Sequence, residues 1–473
     1  MNRILREVIA VSISVSLCFP GLAEQSPQSA ILAPCPTLAE QMKRLKEMGI
    51  PTTIEELQLP RIPEQENGAV LYRQAFEILK SVSKKYEQDW QYLPYEGKAK
   101  WKDVPAENRK KVTDLILNDP DLARAYQLVE KASQMKCWFY GEQELRKGFD
   151  ESSGTEHLAN LRRCVRMLVA RATIEAERNE IDTALGTLLT GFSVSHSLCN
   201  EPAALPSLVR VALDLICLSS LEDTLNKGTG NVQLCHALMA KVRGKREGHL
   251  TLEALQGEMV LFGIPWFSRA REAGIKTSEE EIDKWSDAER RAGVQGADVR
   301  ELLNGLREKG PDKFWSEEEL IYLEGMARIT LLAKKEFWET RDDRSKLEDE
   351  FRRAGVRAGI FAGDSLGVML RNAGAEARLD ARLGEAELAL ALRIYKAKKG
   401  SYPTALTELV PEILPALPKD PFTGKNFFYN PRGMTILIYS VGENLKDDLG
   451  HFDEEKGGYR EKDHDIVWKL SYF

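Results

Sequence analysis

From His157 to Val242 the apolar positions fall at helical spacing. Leu158, Leu161, Cys164, Val165 and Leu168 recur along one stripe, while Arg162, Arg163 and Arg166 take the other faces. Asp182 stands where the next helix should be capped, and Leu185, Leu188, Leu189 and Phe192 form its apolar stripe. Asn200-Glu201-Pro202 breaks that helix. A long apolar helix is then expected from about Ala203 to Leu225, ahead of Gly228 as a C-cap, and another from Val232 to Val242. Short connections make such neighbours pack as antiparallel hairpins. Upstream, Leu38–Met48 reads as a helix ended by Ile50-Pro51. A second helix begins near Ala69 and carries Tyr72, Phe76, Ile78 and Leu79. Residues 86–104, rich in Tyr, Trp, Lys and Pro, read as an ordered loop.

Ala172–Leu189 is similar to a tetratricopeptide-type hairpin, without the recurrence that would define a repeat array. Beyond Trp266 the pattern stays helical but is heavily charged, and Glu279-Glu280-Glu281 and Glu317-Glu318-Glu319 sit where acids favour helix starts. Gly355, Gly359, Gly363 and Gly367 follow, four residues apart. They read either as a groove for a closely packed helix or as a hinge, since each glycine costs a helix about 1 kcal/mol.

From Ala375 the pattern sharpens. Leu379, Leu383, Ala386, Leu390 and Ile394 share one face, with Glu376, Arg382 and Glu385 off it. Lys396, Lys398, Lys399 and Gly400 close the helix. "NFFYN", Pro431-Arg432-Gly433 and "MTILIYS" read as a β-hairpin, and "DIVWKL" as a third strand. One helix on a small antiparallel sheet makes an α+β domain. The expected fold is therefore mainly α, built from antiparallel helical hairpins, with a C-terminal α+β domain. The expected divisions are 1–23, 24–250 (hairpins), 251–372 (charged helices and glycine hinge) and 373–473 (helix and sheet).

The first 23 residues have the layout of a secretory signal peptide: Arg3 and Arg6, an apolar run Val8–Phe19, then Gly21-Leu22-Ala23 before Glu24. The protein is thus expected to be exported, to the periplasm, the cell envelope or the medium. No later stretch reads as a bilayer span. A formal charge of −7 argues against a phosphate-backbone partner, so no nucleic acid is expected. Basic clusters such as Lys241, Lys245 and Arg246 read as solvated helix faces. Six cysteines remain after Cys18, with no Cys-x-x-Cys, which fits small buried residues or one or two disulfides.

"ALRIYKAKKGSYPTALTEL", "LPKDPFTGKNFFYN" and "YSVGEN…DIVW", in that order, resemble the globular part of the major pseudopilin of type II secretion systems, over about the last hundred residues. The resemblance implies a helix packed on a small antiparallel sheet, with calcium holding the loop before the last strand. It places the backbone ligand on Val441, the first side-chain ligand on Asn444 and the last acidic ligand on Asp465, with Asp447 and Asp448 as further oxygens. Asn444 stands where the family has an acid, and the loop is longer, with Glu454, Glu455 and Lys456. The N-terminus lacks a prepilin-type site, so standard pilus polymerisation is not expected.

Other chemistry is sparse. The six histidines lie in no zinc spacing, and His196, among apolar residues, reads as structural. There is no Gly-x-Ser-x-Gly, Walker loop or dinucleotide fingerprint. Trp90, Tyr92, Tyr95, Trp101, Trp138, Phe139 and Tyr140 read either as a ligand groove or as packing. The function expected is an exported, non-catalytic interaction or assembly protein with a protein or cell-envelope partner. The alternatives are an atypical secretion or pilus-associated component, and a hydrolase with its site among the helices. The sequence fixes no oligomeric state.

Overall fold

The computed structural model describes residues 37–94, 101–140, 155–248, 250–273, 305–354, 360–431, 435–451 and 464–472. The leader 1–23, Gly355, Gly359, Tyr95, Glu279–Glu281 and Glu454–Lys456 lie outside them.

The described chain is mostly helical with one small antiparallel sheet. α1 (Leu38–Glu47) starts at Thr37, whose hydroxyl accepts the N–H of Glu40. α2 (Ala69–Lys85) is followed by α3 (Ala106–Asn118) and α4 (Pro120–Ser133). Asp119 caps α4, accepting the N–H groups of Asp121 and Leu122 at 3.0 Å, with Pro120 pre-set for the first turn. Residues 86–104 are not all loop: Glu87–Trp90 is a helical turn and Trp101–Asp103 a 3₁₀ turn. Next come α5 (Glu156–Glu177), α6 (Ile181–His196), α7 (Ala204–Leu225) and α8 (Val232–Arg246). These are the expected antiparallel hairpins. Asp182 is not the α6 cap. It lies one residue inside the helix, and its carboxylate accepts the N–H of Asn231 at 2.6 Å, tying down the turn before α8.

α7 corrects the expectation that no later stretch could cross a membrane, since it is long and apolar enough by length and composition. In this fold Leu213, Cys217, Leu218 and Leu221 are fully buried, and Asp214 and Glu222 hold Lys245 and Arg382 in ion pairs. That is how a core helix behaves.

α9 (Leu250–Glu258) runs through a π-helical turn, Met259–Gly263, into α10 (Ile264–Ala273). α11 (Pro311–Ala333) and α12 (Phe337–Ala354) lead to α13 (Ile360–Lys399), a single helix of 40 residues. At 1.5 Å per residue it is about 60 Å long. Gly363 and Gly367 lie within it, so no hinge separates the domains there, and the boundary expected at 373 falls mid-helix. Close approach instead uses Gly325 of α11, where a Cβ would sit 2.2 Å from Leu366.

α13 serves two cores. Leu366, Met369 and Leu370 join Leu45, Phe267, Trp315 and Met326. Residues from Ala377 to Ile394 join the core of α2–α8, and Ile436, Ile438, Trp468 and Leu470 of the sheet belong to that same core. The expected one-sided amphipathic helix is therefore covered all round, with Arg382, Glu385, Glu387 and Arg393 buried beside the leucines.

The sheet has the order β1 (Phe428–Asn430), β2 (Thr435–Ser440), β3 (Ile466–Ser471), all antiparallel. Phe428 pairs with Tyr439, and Ser440 with Ile466. The outer side of β3 meets α7 rather than another strand. Glu222 Oε1 accepts the N–H of Lys469 and Asn226 Oδ1 that of Ser471, both at 2.7 Å, while Asn226 Nδ2 donates to the carbonyl of Lys469 at 2.9 Å. Two side chains thus satisfy backbone groups that an edge strand would leave open.

Candidate functional site

The acidic turn after β2 gathers the expected residues. Val441 is buried beside Gly442, whose N–H is accepted by Ser440 Oγ. Asn444 Nδ2 donates to Asp448 at 3.4 Å, and its Oδ1 accepts the N–H of Lys446 at 3.0 Å. Asp447 Oδ1 accepts from the Tyr439 hydroxyl at 3.2 Å and from the N–H of Leu449 at 2.9 Å. Asp465, fully buried at the start of β3, accepts the N–H of Asp448 at 3.3 Å and of Gly450 at 2.8 Å. Burial raises the Asp465 carboxyl, the two N–H donors oppose that, and the charges of Asp448 and Asp447 add to it. The donor set is all oxygen, as a hard cation requires. Each carboxylate already serves a protein donor, however, and no cluster of three His, Cys, Asp or Glu suited to a metal occurs among the described residues. What the structure holds is a hydrogen-bonded turn.

That turn forces two leucines into left-handed backbone, Leu445 at φ 56° and Leu449 at φ 60°. This is an uncommon conformation for a residue with a Cβ and costs on the order of 1 kcal/mol or more each. Leu449 is 76% exposed, and Leu445 and Phe428 are also exposed. Phe428 stacks flat on Tyr439, with ring centres 5.0 Å apart. Gly450 packs against Leu437 and Tyr439. An apolar surface with an acidic margin results.

Inside the bundle, Lys245 is not a solvated lysine. Its side chain is 4% exposed, and Nζ lies 2.8 Å from Asp214 Oδ1 and 2.6 Å from Ser195 Oγ, while the Ser195 hydroxyl also meets Asp214. A serine nucleophile would need a lysine free to take its proton. Here Lys245 is a donor to Ser195, and Ser195 is fully buried. The triad is a structural ion pair. Arg246 is likewise engaged, with Asp380 at 2.6 Å and the Lys419 carbonyl at 2.9 Å.

His196, expected among apolar side chains, instead ends α6 exposed, near Lys245, Arg210 and Lys241. Partial burial and those three cations push its pKa down to about 4. The unfolded chain therefore binds a proton that the folded chain refuses between about pH 6.5 and 4, so stability drains as pH falls through that window. His196→Gln is expected to flatten this slope, measured as urea midpoints at pH 7 and pH 5. An unchanged slope would place the effect elsewhere.

The aromatic group divides. Phe139 stacks with Phe76 and His157 and lies tilted against Tyr72 as core, whereas Trp138 and Tyr140 line a small recess with Glu201 and Phe262. Glu201 is paired to His157 at 2.8 Å. Trp90, Tyr92 and Trp101 pack on the core, so packing accounts for most of the set. The five described cysteines are free thiols, and no disulfide forms among them.

The sequence reading passed over Asp214, Glu222 and Arg210 on α7. A visible signal exists: these three, with Asp223, are the four ionisable residues of an otherwise largely apolar helix. No family model, no curated protein and no solved structure matches the chain.

Proposed function

We propose that the chain is an exported, non-catalytic interaction or assembly protein, which meets a protein partner or cell-envelope component through its C-terminal sheet and acidic turn. The observation that carries this reading is Leu449, 76% exposed and held in a strained left-handed conformation by the Asp447 carboxylate. Strain that presents an apolar side chain to solvent has a use when something covers it. Phe428 and Leu445 extend the same surface, and the leader-like first 23 residues support export.

The test places a photo-crosslinking residue at Leu449, with Lys43 on α1 as the control position. A discrete adduct at 449, lost on Phe428→Lys, is expected. Equal labelling at both positions would overturn the reading. Peptide mapping of exported protein is expected to find Glu24 as the new N-terminus.

A second reading, a secretion- or pilus-associated envelope component, is favoured by the pseudopilin-like motifs together with the helix-on-three-strands layout. Under either reading calcium would be held by Val441, Asn444, Asp447, Asp448 and Asp465, and would supply charge neutralisation to the turn. Calcium titration of the chelator-treated full chain is expected to raise the melting temperature saturably, by the equivalent of about 2.7 kcal/mol at a hundredfold excess over Kd. Asp465→Asn is expected to abolish the rise. An unmoved melting temperature in the native chain would remove calcium from the picture. The hydrolase reading gains nothing from Ser195, which is buried and bonded to Lys245 and Asp214.

A further inference from the structure

Ile436, Ile438, Trp468 and Leu470 of the sheet point into the core, so Leu437, Tyr439 and Phe428 take the opposite face. Phe428 stacks on Tyr439, and the acidic turn lies directly on the same face: a Cβ at Gly450 would sit 3.0 Å from Leu437 and 3.4 Å from the Tyr439 ring. Leu449, the next residue, and Leu445 carry the apolar surface out to solvent. The charges beside it are unequal. Glu443 is paired to Arg378. On the described turn that leaves Asp447, Asp448 and the underlying Asp465 against the exposed Lys446. The imbalance is felt inside the protein. Burial raises both the Asp465 carboxyl and the Tyr439 hydroxyl, and nearby carboxylates raise them further: Asp448 and Asp447 at the first, Asp447 and Asp465 at the second. Lys469 stands across from Leu437, on the row of the face farther from the turn.

We infer, on the docking reading above, that the occupant of this surface is a basic segment of a protein partner, which lays an apolar side chain on Leu449 and Phe428 and sets lysine or arginine beside Asp447 and Asp448. A guanidinium suits that position twice over, since it matches a carboxylate and lies flat on an aromatic ring. The methylene stem of either basic side chain covers an exposed leucine such as Leu445 while its head stays at the acids. The same acids repel an anionic lipid surface or a nucleic acid. A neutral bilayer offers too little: one inserted leucine gains about 1.5–3 kcal/mol, and even a whole myristoyl chain anchors a protein only marginally. With Lys469 on the far row, the positive part of the partner is held over the turn.

The experiment uses the full chain with the photo-crosslinking residue at Leu449, in the cells that produce it, and sequences the crosslinked peptide. A peptide of net positive charge is expected. After purification of that partner, adduct yield is expected to fall several-fold between 50 and 500 mM NaCl and in Asp448→Asn, which keeps an acceptor for Asn444. Lys446→Glu, a change at an exposed side chain, is expected to raise the yield at least twofold, a gain that misfolding cannot mimic. A discrete adduct that ignores salt and both charge variants, or that joins a neutral or acidic segment, would overturn the basic partner while leaving docking at Leu449 intact. The absence of any discrete adduct would overturn both. Binding of the chain to phosphatidylglycerol vesicles, lost on Leu449→Ser, would replace the protein partner by a membrane.

Discussion

Replacing Arg382 by methionine is expected to cost the folded state about 3–5 kcal/mol, the usual penalty for removing one member of a buried ion pair. The guanidinium joins three parts of the chain: Nη2 to Glu222 of α7 at 2.6 Å, Nη1 to Glu385 at 3.0 Å, and Nη1 to the Val467 carbonyl of β3 at 2.8 Å. It also lies 4.7 Å from the Trp468 ring. Methionine fills the volume but leaves Glu385 with no exposed surface and no counter-charge. Burial already lifts the Glu385 carboxyl well above the ordinary range, and losing Arg382, which now lowers it, would lift it further. A carboxyl whose folded pKa is raised binds its proton more tightly in the folded than in the unfolded chain. The deficit should therefore shrink as pH falls from neutral toward 5. Urea denaturation at pH 7.5 and pH 5 would check both the size and the sign. Arg382→Met/Glu385→Gln should be less damaged than Arg382→Met alone, and simple additivity of the two changes would rule out the coupling.

A fragment beginning at residue 373 is expected not to fold into its native form alone. Its helix would lose its partners on two neighbouring helices. Arg243 and Arg246 of α8 bind Glu387 and Asp380, Glu222 of α7 binds Arg382, and Arg393 donates to the Leu225 carbonyl at 2.5 Å. The leucines Leu388, Leu390 and Leu392, wholly buried in the core shared with α5–α8, would lose the cover those helices supply. Each fully exposed leucine forfeits about 1.5–3 kcal/mol, which a domain of this size does not have to spare. Circular dichroism and dye binding of the fragment should show a loosely packed or aggregated chain. A cooperative melt like that of the full protein would refute this expectation.

How much was legible follows from what periodicity encodes. The stripe Leu158–Leu168 located α5, and the apolar run after Pro202 located α7 to within a residue. The alternation in "MTILIYS" and "DIVWKL" located β2 and β3, whose inward residues Ile436, Ile438, Trp468 and Leu470 are buried. α3 and α4 were missed although Asp119-Pro120 is a helix-start signal and Leu122, Ala125, Tyr126 and Val129 repeat at helical spacing. The charged side of α13 was illegible for a deeper reason. Arg382 and Glu385 look solvated until Glu222, 160 residues away from Arg382, is brought beside them, and no local pattern distinguishes a wet face from an ion-paired one. Lys245 and Asp214, 31 positions apart, were hidden in the same way. At the acidic turn the sequence placed the oxygen-bearing residues together, but left-handed backbone at Leu445 and Leu449 has no marker in residue type, since leucine seldom adopts it.

The contact of Glu222 and Asn226 with β3 limits how copies of this protein could associate. A strand flank already occupied by a carboxylate and an amide is closed to recruitment by a neighbour's backbone. Among the described residues only the β1 flank then remains to be considered for strand addition. Union through one flank alone is self-complementary and ends at two molecules, whereas an endless ribbon needs both flanks. Two residues of a distant helix thus act as a stop against growth by strand addition at β3.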